Sequence, residues 1–347
     1  MPKPIRVLFT GGGSAGHIVP NLAIVSALKK QNPFVQLLYV GSRQPMDREL
    51  VRHAGIPFRA IFCGKWRRYF SLLNLIDPFF VALGFLQSCY HIIRFWPQVV
   101  FMKGGYVGLP VALAAWIFRR PIVLHESDAV MGLANRIVAT LAKKVCLGFP
   151  GALPFSDKVV LTGNPVRLDL LNGDKNKGYS LTGFSPVRPV LLVWGGSQGA
   201  QEINALIVAN FEALKSHFQV IHVTGKSKVT SLHDPAYKAF EYVGDELAHL
   251  YAITQLAVGR AGANSLYELA LVQKPNIILP LKGHQQRNAS YFEKEGAGIV
   301  LRDTKDFAST LAALAGDPVK QQSMKKALAK ISRLDAANQI AQLILNL

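Results

Sequence analysis

The sequence predicts an α/β fold of two similar domains, each a parallel sheet covered on both faces by helices, with a ligand cleft between them. Three observations lead there. The chain has 347 residues, a length that suits about two domains. Short apolar runs alternate with helix-like segments, the pattern of repeated βαβ units. The alternation then restarts. VLFTGGGSAG at 7–16 and VLLVWGGSQG at 190–199 align with an offset of 183 residues, each a strand, a small-residue turn and a helix.

In the first half, strands are expected at Arg6–Thr10, Gln36–Val40, Phe58–Phe62, Val99–Met102, Pro121–Leu124, Lys144–Leu147 and Val159–Leu161. Each is a short apolar run, as a strand buried on both faces must be. A helix is expected from Ile18 to Lys30. A polar stretch rich in Gly and Lys, Asn172 to Pro189, precedes the second set: Val190–Trp194, Gln219–Val223, Phe240–Val243, Leu256–Val258 and Asn276–Pro280. Helical segments from about Asp303 to Leu347 close the chain. The domains are drawn at 1–164 and 165–347, the terminal helix being free to pack back on the first.

Half the residues are hydrophobic and 17% are charged, which allows a large core in each domain and argues against long disorder. Cys63, Cys89 and Cys146 lie far apart, give no disulfide framework or zinc spacing, and suit a reducing compartment. No signal peptide is expected, because a strand begins almost at once. The net charge of +18 is uneven. Residues 1–164 hold 19 Lys and Arg against 6 Asp and Glu, a net of +13; residues 165–347 hold 20 against 15, a net of +5. An anionic partner is therefore expected on the first half. With no paired Cys/His finger and no RNP-type strand, nucleic acid is not the expected partner.

The segment Leu72 to Trp96 is unusually apolar, but Asp77, Pro78, Gln87, His91 and Arg94 interrupt it, so no membrane span is expected. Before it stands GKWRRYF, 64–70, with Lys65, Arg67 and Arg68 among Trp66, Tyr69 and Phe70. That mixture suits a surface resting on anionic lipid headgroups, and equally a core helix with a solvated basic start.

Gly11, Gly13 and Gly16 spell G-x-G-x-x-G, the fingerprint of a dinucleotide turn. Such a turn demands an acid after the second strand to hold a ribose. Here Leu37–Val40 runs into Gly41-Ser42-Arg43, without one. NAD is disfavoured, while Arg43 leaves an NADP-linked oxidoreductase open. A nucleotide sugar accounts for more of the chain. Its diphosphate would sit on helix N-termini at Ser197 and at Ala263-Asn264-Ser265 of GRAGANSLYE. Glu268, one turn further on, would accept from ribose hydroxyls, or else serve only as a partner for the helix dipole. There is no Asp-x-Asp pair for a divalent metal, so helix dipoles and Arg would neutralise the diphosphate. A UDP-sugar epimerase on the same architecture and a noncatalytic membrane-docked subunit are further readings.

The segments GGGSAGHIVPNLA, KGGYVGLPVALAA, HESDAVMGLANR, GNPVR, GGSQGAQEIN, RAGANSLYELA and HQQRNAS occur in that order. Together, from about residue 5 to 300, the chain resembles the MurG family of bacterial peptidoglycan synthesis. The resemblance implies two Rossmann-like domains of the GT-B type, the first binding acceptor and membrane and the second binding UDP-GlcNAc. It implies inverting transfer of GlcNAc to the C4 hydroxyl of MurNAc in undecaprenyl-pyrophosphoryl-MurNAc-pentapeptide (lipid I), giving lipid II and UDP. It implies no metal, no cofactor, and peripheral attachment to the cytoplasmic face of the inner membrane. The donor contacts it implies are Ser14, Ala15, Gly16, Asp128, Arg167, Ser197, Gly244, the run Ala263, Asn264, Ser265, Leu266, Tyr267, Glu268, and Gln285. Gly244 stands where an apolar residue often meets the uracil, with Val243 beside it as the alternative. Asp128 stands where many members have Asn, and an ionised carboxylate only accepts hydrogen bonds. On the acceptor side stand His17, Gly104, Gly105 and Tyr106, with Lys103 adding charge. The base is His17, Glu126 or Asp128. His17 has the ordinary pKa for the task, but could instead orient a phosphate. Glu126 ends the strand Ile122–Leu124, but could instead bond the neighbouring turn. Arg260, Asn135 and His284 are open between a place in the cleft and a structural role.

Overall fold

The computed structural model describes residues 4–13, 15–64, 73–196, 199–228 and 230–347. Ser14, Ser197 and the basic aromatic stretch 65–70 lie outside the described residues. Two compact units are formed: Met1–Val166 with Asp335–Leu347, and Arg167–Leu334.

The first unit contains β1 (Arg6–Thr10), α1 (Ala15–Gln31), β2 (Gln36–Gly41), α2 (Pro45–His53), β3 (Phe58–Ala60), α3 (Leu73–Phe95) and β4 (Val99–Met102). It continues with α4 (Gly108–Ile117), β5 (Ile122–Glu126), α5 (Leu133–Leu141), β6 (Lys144–Leu147) and β7 (Val159–Leu161). The second unit runs α6 (Lys175–Thr182), β8 (Val190–Trp194), α7 (Gln201–Lys215), β9 (Gln219–Val223), β10 (Tyr237–Phe240), α8 (Leu247–Ile253) and β11 (Leu256–Gly259). It ends with α9 (Ala263–Val272), β12 (Asn276–Ile278), α10 (His284–Lys294), β13 (Ile299–Val300), α11 (Phe307–Ala315) and α12 (Pro318–Ile331). The last helix, α13 (Ala336–Leu345), returns to the first unit.

Every strand pairing is parallel, in the orders β3-β2-β1-β4-β5-β6-β7 and β10-β9-β8-β11-β12-β13. Strand order reverses between β1 and β4 and between β8 and β11. In such sheets ligands bind beyond the strand carboxyl ends at that reversal. Alternation along β1 explains its unbroken apolar sequence: Val7 and Phe9 enter one core, and Leu8 enters the core on the opposite face. Helix α13 caps the first of these cores with Ile340 and Ile344, both wholly buried. Their burial contributes roughly 3–6 kcal/mol to holding it there.

Two element expectations are corrected, and one strand, β13, was not expected. The strand expected at Phe240–Val243 is β10, Tyr237–Phe240. It is an edge strand carrying Lys238, anchored by the Tyr237 hydroxyl 2.8 Å from His222 Nδ1, so its sequence is not an apolar run. Strand β13 has two residues, too few to leave a pattern. Helix α1 begins at Ala15 rather than Ile18, which puts His17 in its first turn. Helix α3 continues through Pro78, and among the described residues no helix is long and apolar enough to cross a membrane.

Candidate functional site

In the first unit, the glycine loop leaves the carboxyl end of β1. Gly13 adopts φ +81°, and a Cβ there would lie 3.0 Å from the Tyr106 hydroxyl. Its N–H donates to both oxygens of Asp47, at 3.2 and 3.0 Å. Asp47 is wholly buried in the first turn of α2 and also accepts from the Ser42 N–H (3.2 Å) and hydroxyl (2.6 Å). The acid missing from the end of β2 thus arrives five residues after Ser42, and it binds the loop itself. The sequence reading missed Asp47; the signal was a lone Asp in a first helical turn after β2.

At the end of β4, the backbone of Gly104 and Gly105 packs against His17. A Cβ on Gly104 would lie 3.6 Å from His17 Cε1, and one on Gly105 would lie 3.5 Å from Nε2. Burial and the Lys103 charge lower the His17 pKa, against Asp128, Asp47 and a bond to the Lys103 backbone. The imidazole is therefore neutral at neutral pH. Lys103 is wholly buried, with Nζ 3.2 Å from His125 Nδ1. His125 Nε2 lies 3.0 Å from the Gly163 carbonyl, which can only accept. Nε2 hence carries the proton and Nδ1 accepts from Lys103. Burial pushes Lys103 down to about 7, with Glu126 and Asp128 opposing. Burial and Lys103 together hold His125 well below its ordinary range.

Glu126 closes β5. Its Oε1 accepts from the Asp128 N–H at 2.9 Å; its Oε2 accepts from the Gly132 N–H at 3.2 Å and Asn135 Nδ2 at 2.7 Å. Burial raises its pKa and these bonds oppose the rise. The carboxylate thereby ties the turn carrying Asp128 to the start of α5.

In the second unit, a concavity of roughly 600 Å³, partly open to solvent, lies beyond the carboxyl ends of β8 and β9. Trp194, Val243, Leu247, Tyr251, Ser265 and Glu268 are among its walls. Gly259 makes room for the indole: a Cβ there would fall 2.5 Å from the Trp194 ring. The N–H groups of Ala263, Asn264 and Ser265 open α9 ahead of its first intrahelical bond, from the Leu266 N–H to the Gly262 carbonyl at 3.0 Å. Glu268 bonds the Tyr251 hydroxyl; burial pushes its pKa up to about 7, against the charge of Arg167. Arg167 reaches Asp245 Oδ1 and the Gly244 carbonyl, each at 3.4 Å, and Asp169 Oδ2 at 3.9 Å.

The expected donor residues thus separate. Ser265 and Glu268 face the concavity, and the charge of Arg167 acts on Glu268. Leu266 and Tyr267 are buried, the Tyr267 ring edge-on to Phe292 at 5.9 Å. Val243, not Gly244, forms a wall. Gln285 lies off the concavity, its Oε1 accepting from the Leu281 N–H at 3.1 Å. Arg260 is structural, donating to the Leu279 carbonyl at 3.1 Å and to Glu202 Oε2 at 2.5 Å. Among the described residues no group of three or more His, Cys, Asp or Glu is placed to hold a metal ion.

Comparison with known proteins gives the same arrangement a family. The glycosyltransferase family 28 N-terminal domain matches residues 7–147, and the glycosyltransferase family 28 C-terminal domain matches residues 190–343. A Legionella pneumophila (strain Paris) protein, named UDP-N-acetylglucosamine--N-acetylmuramyl-(pentapeptide) pyrophosphoryl-undecaprenol N-acetylglucosamine transferase, is 42% identical over 326 residues, 91% of this chain and 89% of that one. The crystal structure of Acinetobacter baumannii MurG superposes with a TM-score of 0.75 at 23% identity, covering 99% of this chain and 100% of that one. A UDP-GlcNAc 2-epimerase from Neisseria meningitidis, bound to UDP-GlcNAc, superposes at 0.73 with 15% identity, over 99% and 100%. The structural likenesses establish the GT-B fold, which transferase and epimerase share, and the sequence relationship separates the two. The chain belongs to the MurG family of glycosyltransferases.

Proposed function

We propose that the chain transfers GlcNAc from UDP-GlcNAc to the C4 hydroxyl of MurNAc in lipid I, with inversion, giving lipid II and UDP. The observation that carries this reading is 42% identity, over 91% of the chain, to a relative named for that transfer. In it, the acceptor oxygen attacks C1 of GlcNAc, the bond from C1 to UDP breaks, and the electron pair leaves on the diphosphate.

His17 takes the acceptor proton. It is neutral, and with one ring nitrogen donating to the Lys103 backbone the other is left to accept. Glu126 serves as a positioning residue, its oxygens spent on its own turn. Asp128, carried on that turn, accepts from sugar hydroxyls. Gly104, Gly105 and Tyr106 hold the acceptor diphosphate, with buried Lys103 acting only at range. On the donor, Val243 meets the uracil and Glu268 the ribose. Arg167 and the α9 N-terminus take the charge of the leaving diphosphate without a metal or cofactor. By resemblance to the family, Ser14, Ala15, Gly16 and Ser197 add to the donor contacts, and Gln285, which bonds the Leu281 N–H, shapes the turn before α10. The exposed Phe79, Leu86, Tyr90 and Ile93 of α3, in the half with a net charge of +13, rest the enzyme on the cytoplasmic face of the inner membrane.

The test is UDP release from UDP-GlcNAc in EDTA, with and without a short-chain lipid I analogue. Acceptor-dependent release with a disaccharide product is expected. Release without acceptor, or a requirement for added metal, rejects the mechanism. His17→Ala lowers turnover at least about tenfold with donor affinity little changed; near-normal turnover removes His17 as the base.

A further inference from the structure

The first unit holds a second recess that the transfer does not use. Arg43, Arg48, Arg52 and Arg59 line it, with Gln87 of α3 and Phe62, around a space of about 710 Å³ that is open to solvent. Two of the arginines stand four residues apart on α2, so they share a helix face. Arg43 lies over the Phe62 ring at 4.3 Å, and Arg59 donates to the Phe58 carbonyl at 3.2 Å. Gln87 Oε1 is held by the Phe62 N–H at 2.8 Å, which leaves its amide nitrogen to the recess.

No carboxylate among the described residues pairs with any of the four. Elsewhere Arg167, Arg260 and Arg302 each pair with an acid. Four like charges around one hollow repel each other, and the arrangement is favourable only when an anion enters. A guanidinium presents two parallel N–H groups, the fork that matches phosphate oxygens. Four guanidinium groups and one amide around a single hollow suit a small phosphorylated group rather than a long acidic peptide.

We propose that this pocket is a phosphoryl-binding site, distinct from the donor concavity, for a ligand bearing a phosphate or diphosphate group. The same chemistry is offered by a soluble diphosphate and by the phosphate of an anionic lipid headgroup. Helix α2 also carries Asp47, which holds Gly13, so an occupied pocket lies one helix from the glycine loop.

The test is titration calorimetry of the full chain with inorganic pyrophosphate, the donor site first saturated with UDP. In parallel, the chain is sedimented with vesicles of phosphatidylglycerol or of phosphatidylcholine. Arg48→Ala/Arg52→Ala and Arg43→Ala/Arg59→Ala are compared with Arg48→Lys/Arg52→Lys; all four side chains are exposed, and unaltered melting confirms the fold. Pyrophosphate binding that falls at least tenfold in both Ala pairs, and several-fold in the Lys pair, supports the site with a soluble ligand. Phosphatidylglycerol binding that falls equally in those variants, without pyrophosphate binding, supports it with lipid phosphate as the source. Neither ligand binding, or binding unchanged in the Ala pairs, overturns the proposal. So does full retention in the Lys pair, because that marks a diffuse charge effect.

Discussion

The two glycine turns, 183 residues apart in sequence, close in different ways. In the first unit, Gly13 spends its N–H on a buried acid from another helix, and α1 starts directly at Ala15. In the second, the turn closes on itself: the Gly199 N–H donates to the Gly196 carbonyl at 2.9 Å, and α7 starts only at Gln201. Gly199 adopts φ +68°, where a Cβ would fall 2.2 Å from the Thr224 carbonyl. One motif therefore serves two purposes. The second turn is fixed by steric closeness to β9. The first is fixed by a carboxylate, which takes an amide that an anion would otherwise use. The difference teaches that a glycine fingerprint specifies a turn, and its neighbours decide what the turn can hold.

The largest effect is expected from removing that carboxylate. Asp47→Ala strips acceptors from the Gly13 and Ser42 N–H groups inside the protein, at a cost of about 3–5 kcal/mol. Urea unfolding should show it as a lower midpoint with an unchanged slope. Asp47→Asn, which keeps one acceptor oxygen, should recover part of the loss. A cost below about 1 kcal/mol for the alanine variant would mean that the first turn, like the second, holds itself, and the contrast between them would fail.

A tenfold effect is expected in the second unit, where the ionisable group in the concavity is a half-buried acid. Glu268 has its pKa pushed up to about 7 by burial. If its carboxylate accepts from the ribose hydroxyls, the ionised form binds donor, and binding weakens as pH falls through 7. Between pH 8 and 6 the UDP-GlcNAc dissociation constant should rise roughly tenfold. Glu268→Gln should bind more weakly and lose the pH dependence. An unchanged pH profile in that variant would leave Glu268 as a partner of Tyr251 and the helix dipole only.

Both sheets were legible in the sequence because strands buried on two faces leave unbroken apolar runs, as Val190–Trp194 does. What escaped was whatever depends on chain segments meeting. Asp47 is an ordinary helix residue until Gly13, 34 positions earlier, lands on it. Arg43 was visible as a cation after β2, but its companions Arg48, Arg52 and Arg59 become a pocket only when α2, β3 and α3 pack together. The run from Ala263 to Glu268 reads as one binding segment, yet helical periodicity sends Leu266 and Tyr267 into the core and leaves Ser265 and Glu268 on the open face. Lys103 was legible as charge beside two glycines, and its complete burial was not.

That burial sets up the finest comparison between the units. Lys103 and Glu268 both have pKa values near 7, one a base pushed down and the other an acid pushed up. As pH falls through 7, the first gains a charge and the second loses one. The two changes act in opposite senses: a charged Lys103 keeps His17 neutral and able to take a proton, whereas a protonated Glu268 loosens the donor. Lys103 lowers the His17 pKa, so Lys103→Met should raise it. The acid limb of the kcat/KM profile, where the base becomes protonated, should then move to higher pH by roughly half to one pH unit. Activity at pH 6 should fall more than activity at pH 8. The same substitution leaves His125 Nδ1 without its donor, at a cost of about 1–3 kcal/mol in stability. A purely structural role would show that stability loss with an equal drop in rate at every pH, whereas an electrostatic role displaces the limb. If the limb stays in place, the neutral state of His17 owes nothing to Lys103, and burial alone is responsible for it.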